Sequence, residues 1–474
     1  MPFNNYPYTD LNDINLDFIL GKIGKLDESV TAAEAAAQHA EETIAGMEEY
    51  ADRAEAAAED AEDSAEAAAE SAASITEMLW FGTPEMYGAV GDGVTDDYEA
   101  IASALEHYDV VVFRSNYYSS QTISIPSDKM LFIPGTIKSN QNPIININGS
   151  THIRIYGGHI QGDGIANQSG ISVYGTHDVI IIGVCVENCL NKGIQIVASY
   201  ECSVDNCIVT GCNGQTGAGI SVASTATETS PGVYVYNHAY RVSVSNIKSR
   251  NNRIGVIFQG CLNCTLDGLS SDHDTLMGLC YDGIITGSGD GAKHCTFNNV
   301  TVTDVTDATY SGIYFGNGSE YISGSDFTVT GENCAGVRSL SDNQSKPIHD
   351  IHLTNGTVIV GANYGIQPSI TNDMTIENCY IHAALRGVST YICNRITVSN
   401  SHVYGCSGAG IFIQASTRCC VIGCFCNNNG RDIQVAYGAD ITPVNTRIIG
   451  NSLTSATTVD HGSIAIITAG NEGV

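Results

Sequence analysis

Two short stretches of the chain carry five carboxylates between them. "SSDHDTLMGLCYDG", residues 270–283, holds Asp272, Asp274 and Asp282, and "TDVTDATYSGIYFG", residues 303–316, holds Asp304 and Asp307. Paired acids can cleave a glycosidic bond, one giving its proton to the leaving oxygen while the other attacks or activates water. Aligned on Gly278 and Gly312, Asp274 and Asp307 stand just before their glycines, in the same turn of neighbouring units. Carboxylates one unit apart fall near the roughly 5 Å of a retaining glycosidase, and two units apart approach the roughly 6.5–9.5 Å of an inverting one. Like charges crowded together raise one pKa and make that group the acid. Asp272, Asp274, Asp304 and Asp307 are therefore the candidate catalytic residues. With 23 Tyr and a single Trp, sugar stacking falls to tyrosine. Tyr281, Tyr310 and Tyr314, with Asp282 and Arg253, are the candidate substrate-binding residues. A lyase would instead need a basic residue beside an acidic sugar, and Arg250, Arg253 and Lys293 are the ones near the cluster. No cofactor is required, although Asp-rich turns also suit Ca²⁺. Ordinary turn aspartates are the competing explanation.

The elements that position these residues are repeats. A glycine followed by alternating apolar residues recurs at Gly170, Gly193, Gly219, Gly255, Gly312, Gly387 and Gly410. A short strand ending in asparagine keeps step with it, at Asn188, Asn206, Asn246, Asn299, Asn378 and Asn400. Uninterrupted, the period is roughly 22 to 24 residues, within the range of solenoids. Each unit offers short alternating strands and no helical period, so the unit is one coil of a parallel β-helix. Asparagines stacked on successive coils would pass hydrogen bonds from amide to amide along a ladder. The residue after the asparagine is small, apolar or a thiol, as at Cys189, Cys207, Ile247, Val300 and Cys379. Cysteine there behaves as a compact hydrophobe, and "CLNC" and "CCVIGCFC" read as interior positions more than as zinc ligands. All 17 cysteines lie at or after Cys185, and their odd number favours reduced, packed thiols. The insertion from Ala223 to Tyr240 breaks the period; Glu228, Tyr234, Tyr236 and His238 either wall a groove or form a plain surface loop.

Upstream, residues 27–80 are rich in alanine and glutamate and read as a helix. "AEAAAEDAEDS" at 54–64 and "AEAAAESAAS" from 65 repeat every eleven residues, a spacing that suits a gently right-handed supercoil. An alanine seam buries little area per helix, so this stalk is expected to be oligomeric and, by analogy, trimeric. Residues 1–26 are short and aromatic and are expected to dock on another protein. The formal net charge is -31, with 16 acidic residues and only Arg53 as a base between Asp27 and Met78. That balance argues against nucleic acid or an anionic membrane as partner. There is no run of about 18 apolar residues to span a bilayer, and the first residues lack the pattern of a secretory signal.

At the junction, "YGAVGDGVTDDYEAIASAL", Tyr87 to Leu105, has a structural explanation. Gly91 and Gly93 make a tight turn around Asp92, and Asp96 with Glu99 forms a capping box for a helix that closes the open end of the solenoid. This stretch resembles the opening motif of the pectate-lyase-like superfamily of right-handed β-helices, found in polysaccharide-degrading enzymes and phage tailspikes. "NNYPYTDLNDINLDFILGKI" is similar to the aromatic opening of phage tail and baseplate proteins. The "NTD", double Asp, "GHG" and "RIK" series of polygalacturonases is absent. The fold expected is all-β: a right-handed single-stranded parallel β-helix preceded by a long N-terminal α-helical coiled-coil stalk. Its expected parts are an attachment segment at 1–26, the stalk at 27–80, the opening motif and capping helix at 81–107, and the β-helix at 108–474. The resemblances imply a homotrimeric virion tail protein, made in the host cytoplasm without a signal peptide. Its partners would be phage tail or baseplate proteins through residues 1–26 and a bacterial surface polysaccharide. It would bind that polysaccharide and depolymerise it as a glycosidase or lyase; the alternative is a non-catalytic receptor-binding or structural fibre protein.

Overall fold

The computed structural model describes residues 31, 62, 64 and 80–474, except 231–232, 284–290, 308, 333, 342–346, 437–444, 456, 460–464 and 468–474. The expected attachment segment lies outside the described residues. So does the stalk, apart from Thr31, Glu62 and Ser64, which are helical, and Trp80.

From Phe81 onward the chain forms one unit of stacked coils. Each coil gives a strand to a 14-stranded parallel sheet and then to a 26-stranded parallel sheet folded at a corner. One coil shows the plan. Lys192–Val197 pairs with Ala218–Ala223 of the next coil in the 14-stranded sheet. The chain then forms Ser203–Asp205 and Ile208–Thr210, the two limbs of the bent sheet, which both pair with Ser243–Arg250. Side chains alternate along the limbs of the bent sheet, so Val204 and Val209 are fully buried while their neighbours are more exposed, and on the strand Ala218–Ala223 Ile220 and Val222 are fully buried as well. The inward residues of all coils merge into one apolar column from Ile101 to Leu453.

The repeated glycines line an inner corner of the 14-stranded sheet. A Cβ on Gly193 would lie 2.7 Å from the carbonyl oxygen of Gly219, one on Gly219 2.7 Å from that of Gly255, and one on Gly387 2.7 Å from that of Gly410. No side chain fits that approach, which is why the glycine returns once per coil.

The asparagines obey a different rule from the one their recurrence suggests. Asn206, Asn246, Asn299, Asn378 and Asn400 do stack in one column, shared with Gly157, Gly183, Gly268, Asp326, Asn355, Gly423 and Gly450. Every member has φ between 49° and 80°, at the corner between the two limbs of the bent sheet. The five asparagines are exposed. Three of their amides donate to carboxylates on the coil before, Asn246 to Asp205 at 2.9 Å, Asn299 to Asp267 at 2.8 Å and Asn400 to Glu377 at 3.4 Å. The expected amide-to-amide ladder is therefore corrected: the corner selects residues that tolerate the left-handed region, and asparagine, aspartate and glycine are those. Asn188 belongs to a second left-handed corner with Gly211, Asn251, His273 and Asp304.

The residue after each corner turns inward. Cys207, Cys379 and Cys295 each donate their S–H to the carbonyl two residues back, at 3.3 Å, closing the corner. Ser199, Ser401 and Ser416 do the same at 2.7–2.9 Å. Burial pushes the Cys207 thiol up to about 12, so it stays protonated and able to donate. All 17 cysteines are free, and only Cys185 and Cys420 are incompletely buried. Inward asparagines occur at the same kind of position. Asn252, Asn429 and Asn451 accept the backbone N–H of Cys212, Cys406 and Cys424 at 2.7, 3.0 and 2.8 Å.

The opening stretch is built as a closure. Gly91 and Gly93 have φ of 68° and 75°, and Asp92 accepts from the N–H groups of Val94 and Thr95. The helix runs Tyr98–His107 with Asp97, not Asp96, at its N-cap, and Glu99 completes no box. Asp97 instead turns back to accept from Val90 and Gly91, while Asp96 ties Tyr98 to Ser120 of the next coil. Ile101, Ala104 and Leu105 enter the common core.

The corner explanation separates two substitutions at one exposed site. Asn400→Ala is expected to lower unfolding stability by about 1 kcal/mol, because φ stays positive, and Asn400→Gly by a few tenths at most. Urea denaturation followed by circular dichroism reads the difference.

Candidate functional site

Outward positions of the 14-stranded sheet are the residue before each repeated glycine and the second residue after it. On successive coils the first position holds Ala335, Tyr364, Arg386, Ala409 and Arg431, and the second holds Tyr314, Arg338, Gln367, Ser389, Phe412 and Gln434. Where this face meets the turns that precede the strands there is a groove of about 380 Å³, lined by Thr309, Tyr310, Glu332, Ala335, Arg338, Ala362, Asn363, Tyr364 and Gln367. Arg338 donates to the carbonyl of Thr309 at 3.1 Å, and its buried Nε has no partner. Further along, the Arg386 guanidinium lies 3.9 Å from the centre of the Phe412 ring and 5.9 Å from that of Tyr364. Towards the earlier coils, Tyr310 and Tyr314 border an apolar patch of Ala218, Ile257, Leu276, Met277 and Cys280.

The residues expected to act together are divided among three places. Tyr310 lines the groove, and Asp307 builds the turn that delivers it: the Asp307 carboxylate accepts from the N–H of Thr309 at 2.8 Å and its carbonyl from that of Tyr310 at 3.2 Å. Tyr314 lies beside the groove, in register with Arg338, with its hydroxyl directed at the carbonyl of Leu340. Asp282 ends its strand, and its side chain accepts from the N–H of Gly283 at 2.7 Å. Arg253 stands on a preceding turn and donates to the carbonyl of Gln215.

Asp272 and Asp304 meet at the second left-handed corner. Ligand atoms of Asp272, His273 and Asp304 all lie within 4.8 Å of one another. Asp272 is already committed to His273 at 2.6 Å, Thr303 at 3.0 Å and Arg250 at 3.3 Å. Partial desolvation pushes its carboxyl up, but the hydrogen bonds from His273 and Thr303 and the charges of His273 and Arg250 outweigh that and hold it below the ordinary carboxylate range. It is thus a poor proton donor, and Ca²⁺ would have to displace these partners.

Two expected site residues are corrected outright. Tyr281 is fully buried in the core, its ring 5.0 Å from Phe258 and 5.9 Å from Phe315; no sugar can reach it. Asp274 is fully buried too, accepting from Ser249 and Ser271 at 2.7 Å and from the N–H of Asn252 at 2.8 Å. It stands in the inward column after the corner, where other coils place cysteine or asparagine. The insertion forms an antiparallel hairpin, Thr225–Ser230 with Val233–Asn237. It leaves the sheet at the end of the strand Ala218–Ala223, and its residues do not line the groove. A second set of ligand atoms lies inside the column: the thiols of Cys261, Cys264 and Cys295, all within 4.8 Å of one another, with no fourth Cys, His, Asp or Glu joining them among the described residues.

Glu332, Arg338, Asn363, Tyr364 and Arg386 escape a search for acid clusters. The signal for Arg338, Tyr364 and Arg386 was present in the glycine repeat, whose flanking positions name the outward residues.

Asp274 gives a pH-dependent prediction. Burial raises its pKa from 3.8 to about 6, against the opposing hydrogen bonds of Ser249, Ser271 and Asn252. The folded state holds its proton more tightly than the unfolded chain, so the stabilisation is complete below about pH 4 and is lost as pH rises through about 6. Urea unfolding between pH 4 and 8 should show a loss on the order of 2–3 kcal/mol that is absent in Asp274→Asn. Parallel pH profiles for the two proteins would contradict the assignment.

The comparisons with known proteins agree with this architecture. Residues 110–230 and 335–472, more than half of the chain, match the family described as right handed beta helix region. The preneck appendage protein of Bacillus phage PZA and the pre-neck appendage protein of Bacillus phage phi29 are each 23% identical over 402 residues, which covers 71% of this chain and 46% of theirs. The chain thus spans less than half the length of the curated relatives it matches. The surface protein and adhesin PfbA of Streptococcus pneumoniae superposes with a TM-score of 0.53 at 14% identity, covering 78% of this chain and 100% of its own. The tailspike protein of E. coli bacteriophage HK620, solved in complex with a pentasaccharide, gives 0.52 at 12% identity and 75% of each chain. At these identities the structural matches show the fold alone. The likeness to phage tail proteins read from the sequence is met by the two appendage proteins, and the chain belongs to the right-handed β-helix family.

Proposed function

We propose that this chain is a virion tail protein that binds a bacterial surface polysaccharide along the outer face of its 14-stranded sheet. The observation that carries this reading is the groove, in which Tyr310 and Tyr364 lie among Arg338, Glu332, Asn363 and Gln367 on adjacent coils. Aromatic faces with a few hydrogen-bonding groups are what an extended sugar chain needs, and coils about 4.8 Å apart present them as a repeating track. Support for the setting comes from the two phage appendage relatives, and support for the ligand class from the tailspike solved with a pentasaccharide. Within this proposal the chain acts as a homotrimer held by the stalk at 27–80 and joined to the tail or baseplate through residues 1–26. It is made in the host cytoplasm, and binding draws on no cofactor.

Binding without cleavage is the reading the geometry favours. The desolvated carboxyl of the acid cluster, Asp274, faces inward, and Asp272 is held ionised by its partners. Depolymerisation is the second reading, favoured by the proximity of Asp272 and Asp304 within 4.8 Å, near the roughly 5 Å of a retaining glycosidase.

Purified capsular and exopolysaccharides of candidate hosts, mixed with the protein and passed over a sizing column, test both. The expected result is co-elution without shortened chains, weakened about tenfold in Tyr364→Ala. Shortening abolished by Asp272→Asn would establish cleavage, and ultraviolet-absorbing unsaturated ends would mark a lyase. Co-elution with none of the polysaccharides would overturn the proposal.

A further inference from the structure

Given that the groove takes a glycan, we infer that this glycan is acidic, with carboxylate or phosphate groups that meet Arg338, Arg386 and Arg431. The inference rests on the reading above and narrows its ligand to one chemical class.

The chain carries 51 acidic residues against 20 Lys and Arg, so a face with three arginines and no outward carboxylate on their strands stands apart from the rest of the surface. On the bent sheet and its corners four arginines are matched, Arg154 with Asp178 at 2.7 Å, Arg241 with Glu201 at 2.8 Å, Arg250 with Asp272 at 3.3 Å, and Arg395 with Asp373, while Arg418 and Arg447 stand there singly. Arg338, Arg386 and Arg431 have no carboxylate within ion-pairing distance among the described residues. The outward positions of their strands hold no Asp or Glu either, since Asp432 turns fully inward. Glu332, at the groove's rim, is not paired with Arg338.

The three arginines are also spaced as a track. They sit on Ala335–Leu340, Arg386–Tyr391 and Arg431–Ala436, every second strand in the order of the sheet. Arg386 and Arg431 share one column two coils, about 10 Å, apart, the scale of a two-sugar repeat, so acids on alternate sugars would meet these two in turn while Arg338 in the neighbouring column takes a group from the flank. Arg386 rests the face of its guanidinium on Phe412, which leaves the N–H edges to grip a planar carboxylate or a phosphate. Arg338 has a buried Nε–H without an acceptor, a donor that a bound anion's oxygen would satisfy. The strongly negative whole molecule repels anions at long range, so capture depends on these close, charge-assisted contacts.

A printed array of acidic and neutral bacterial capsular and O-antigen polysaccharides, probed with the full chain, tests the inference. Retained glycans should carry carboxylate or phosphate, and carboxyl reduction or dephosphorylation of the tightest should weaken it. Arg338→Gln, Arg386→Gln and Arg431→Gln should each lower affinity by about tenfold, with unchanged thermal unfolding, whereas Arg241→Gln on the opposite flank should not. Tight binding of a neutral polysaccharide, unmoved by the three substitutions, overturns the acidic class and leaves the groove standing as a glycan site. No binding to any member overturns both.

Discussion

The whole column depends on the left-handed corner. Each coil must reverse direction several times with almost no loop, and a single residue with positive φ achieves this where two strands of the bent sheet meet. That residue costs least as glycine, asparagine or aspartate. Because one corner stacks on the next, strands on either side keep their register over the length of the molecule. Register then fixes which side chains face the core and which face solvent. Cysteine and serine complete the device by donating back across the corner, and asparagines at Asn252, Asn429 and Asn451 satisfy N–H groups one coil away. The thiols are thus part of the turn chemistry of the fold.

The groove follows from the same constraint. With inward positions filled by Val, Ile, Leu and Phe, chemistry is left to outward residues and turns. The glycine corner makes the 14-stranded sheet regular, so outward side chains form straight columns. Tyr364, Arg386 and Arg431 share one column, while Arg338 and Phe412 share the neighbouring one. A ligand with its own linear repeat is the natural complement of such a surface, which is why a polysaccharide fits better than a compact metabolite.

The fold was legible because repetition is a sequence-level property: glycine and asparagine recur at a fixed period, and Gly170, Gly193, Gly219, Gly255, Gly312, Gly387 and Gly410 fall on the corner their recurrence implies. The asparagines were found for the right period and the wrong reason. Their identity reports a backbone angle, which glycine and aspartate serve equally, and not an amide ladder. The site was less legible. Asp274 and Tyr281 were chosen by type and position near a glycine, but alternation places both inside, and one residue of register decides between an acid in a cleft and an acid in a core. Asp307 was placed near the chemistry, yet its carboxylate is used to shape a turn. Arg338 and Arg386 belong to no acid cluster, and only their places beside Gly336 and Gly387 mark them as outward.

The central claim is that corner-set register gathers the ligand-facing side chains on the outer face of the 14-stranded sheet. A crystal or cryo-electron-microscopy structure of the chain with an oligosaccharide of its bound polysaccharide tests this most directly. The account predicts glycan density running across successive coils beside Tyr310, Tyr364 and Arg386. Density confined to the bent sheet, or to the corner of Asp272 and Asp304, would contradict it.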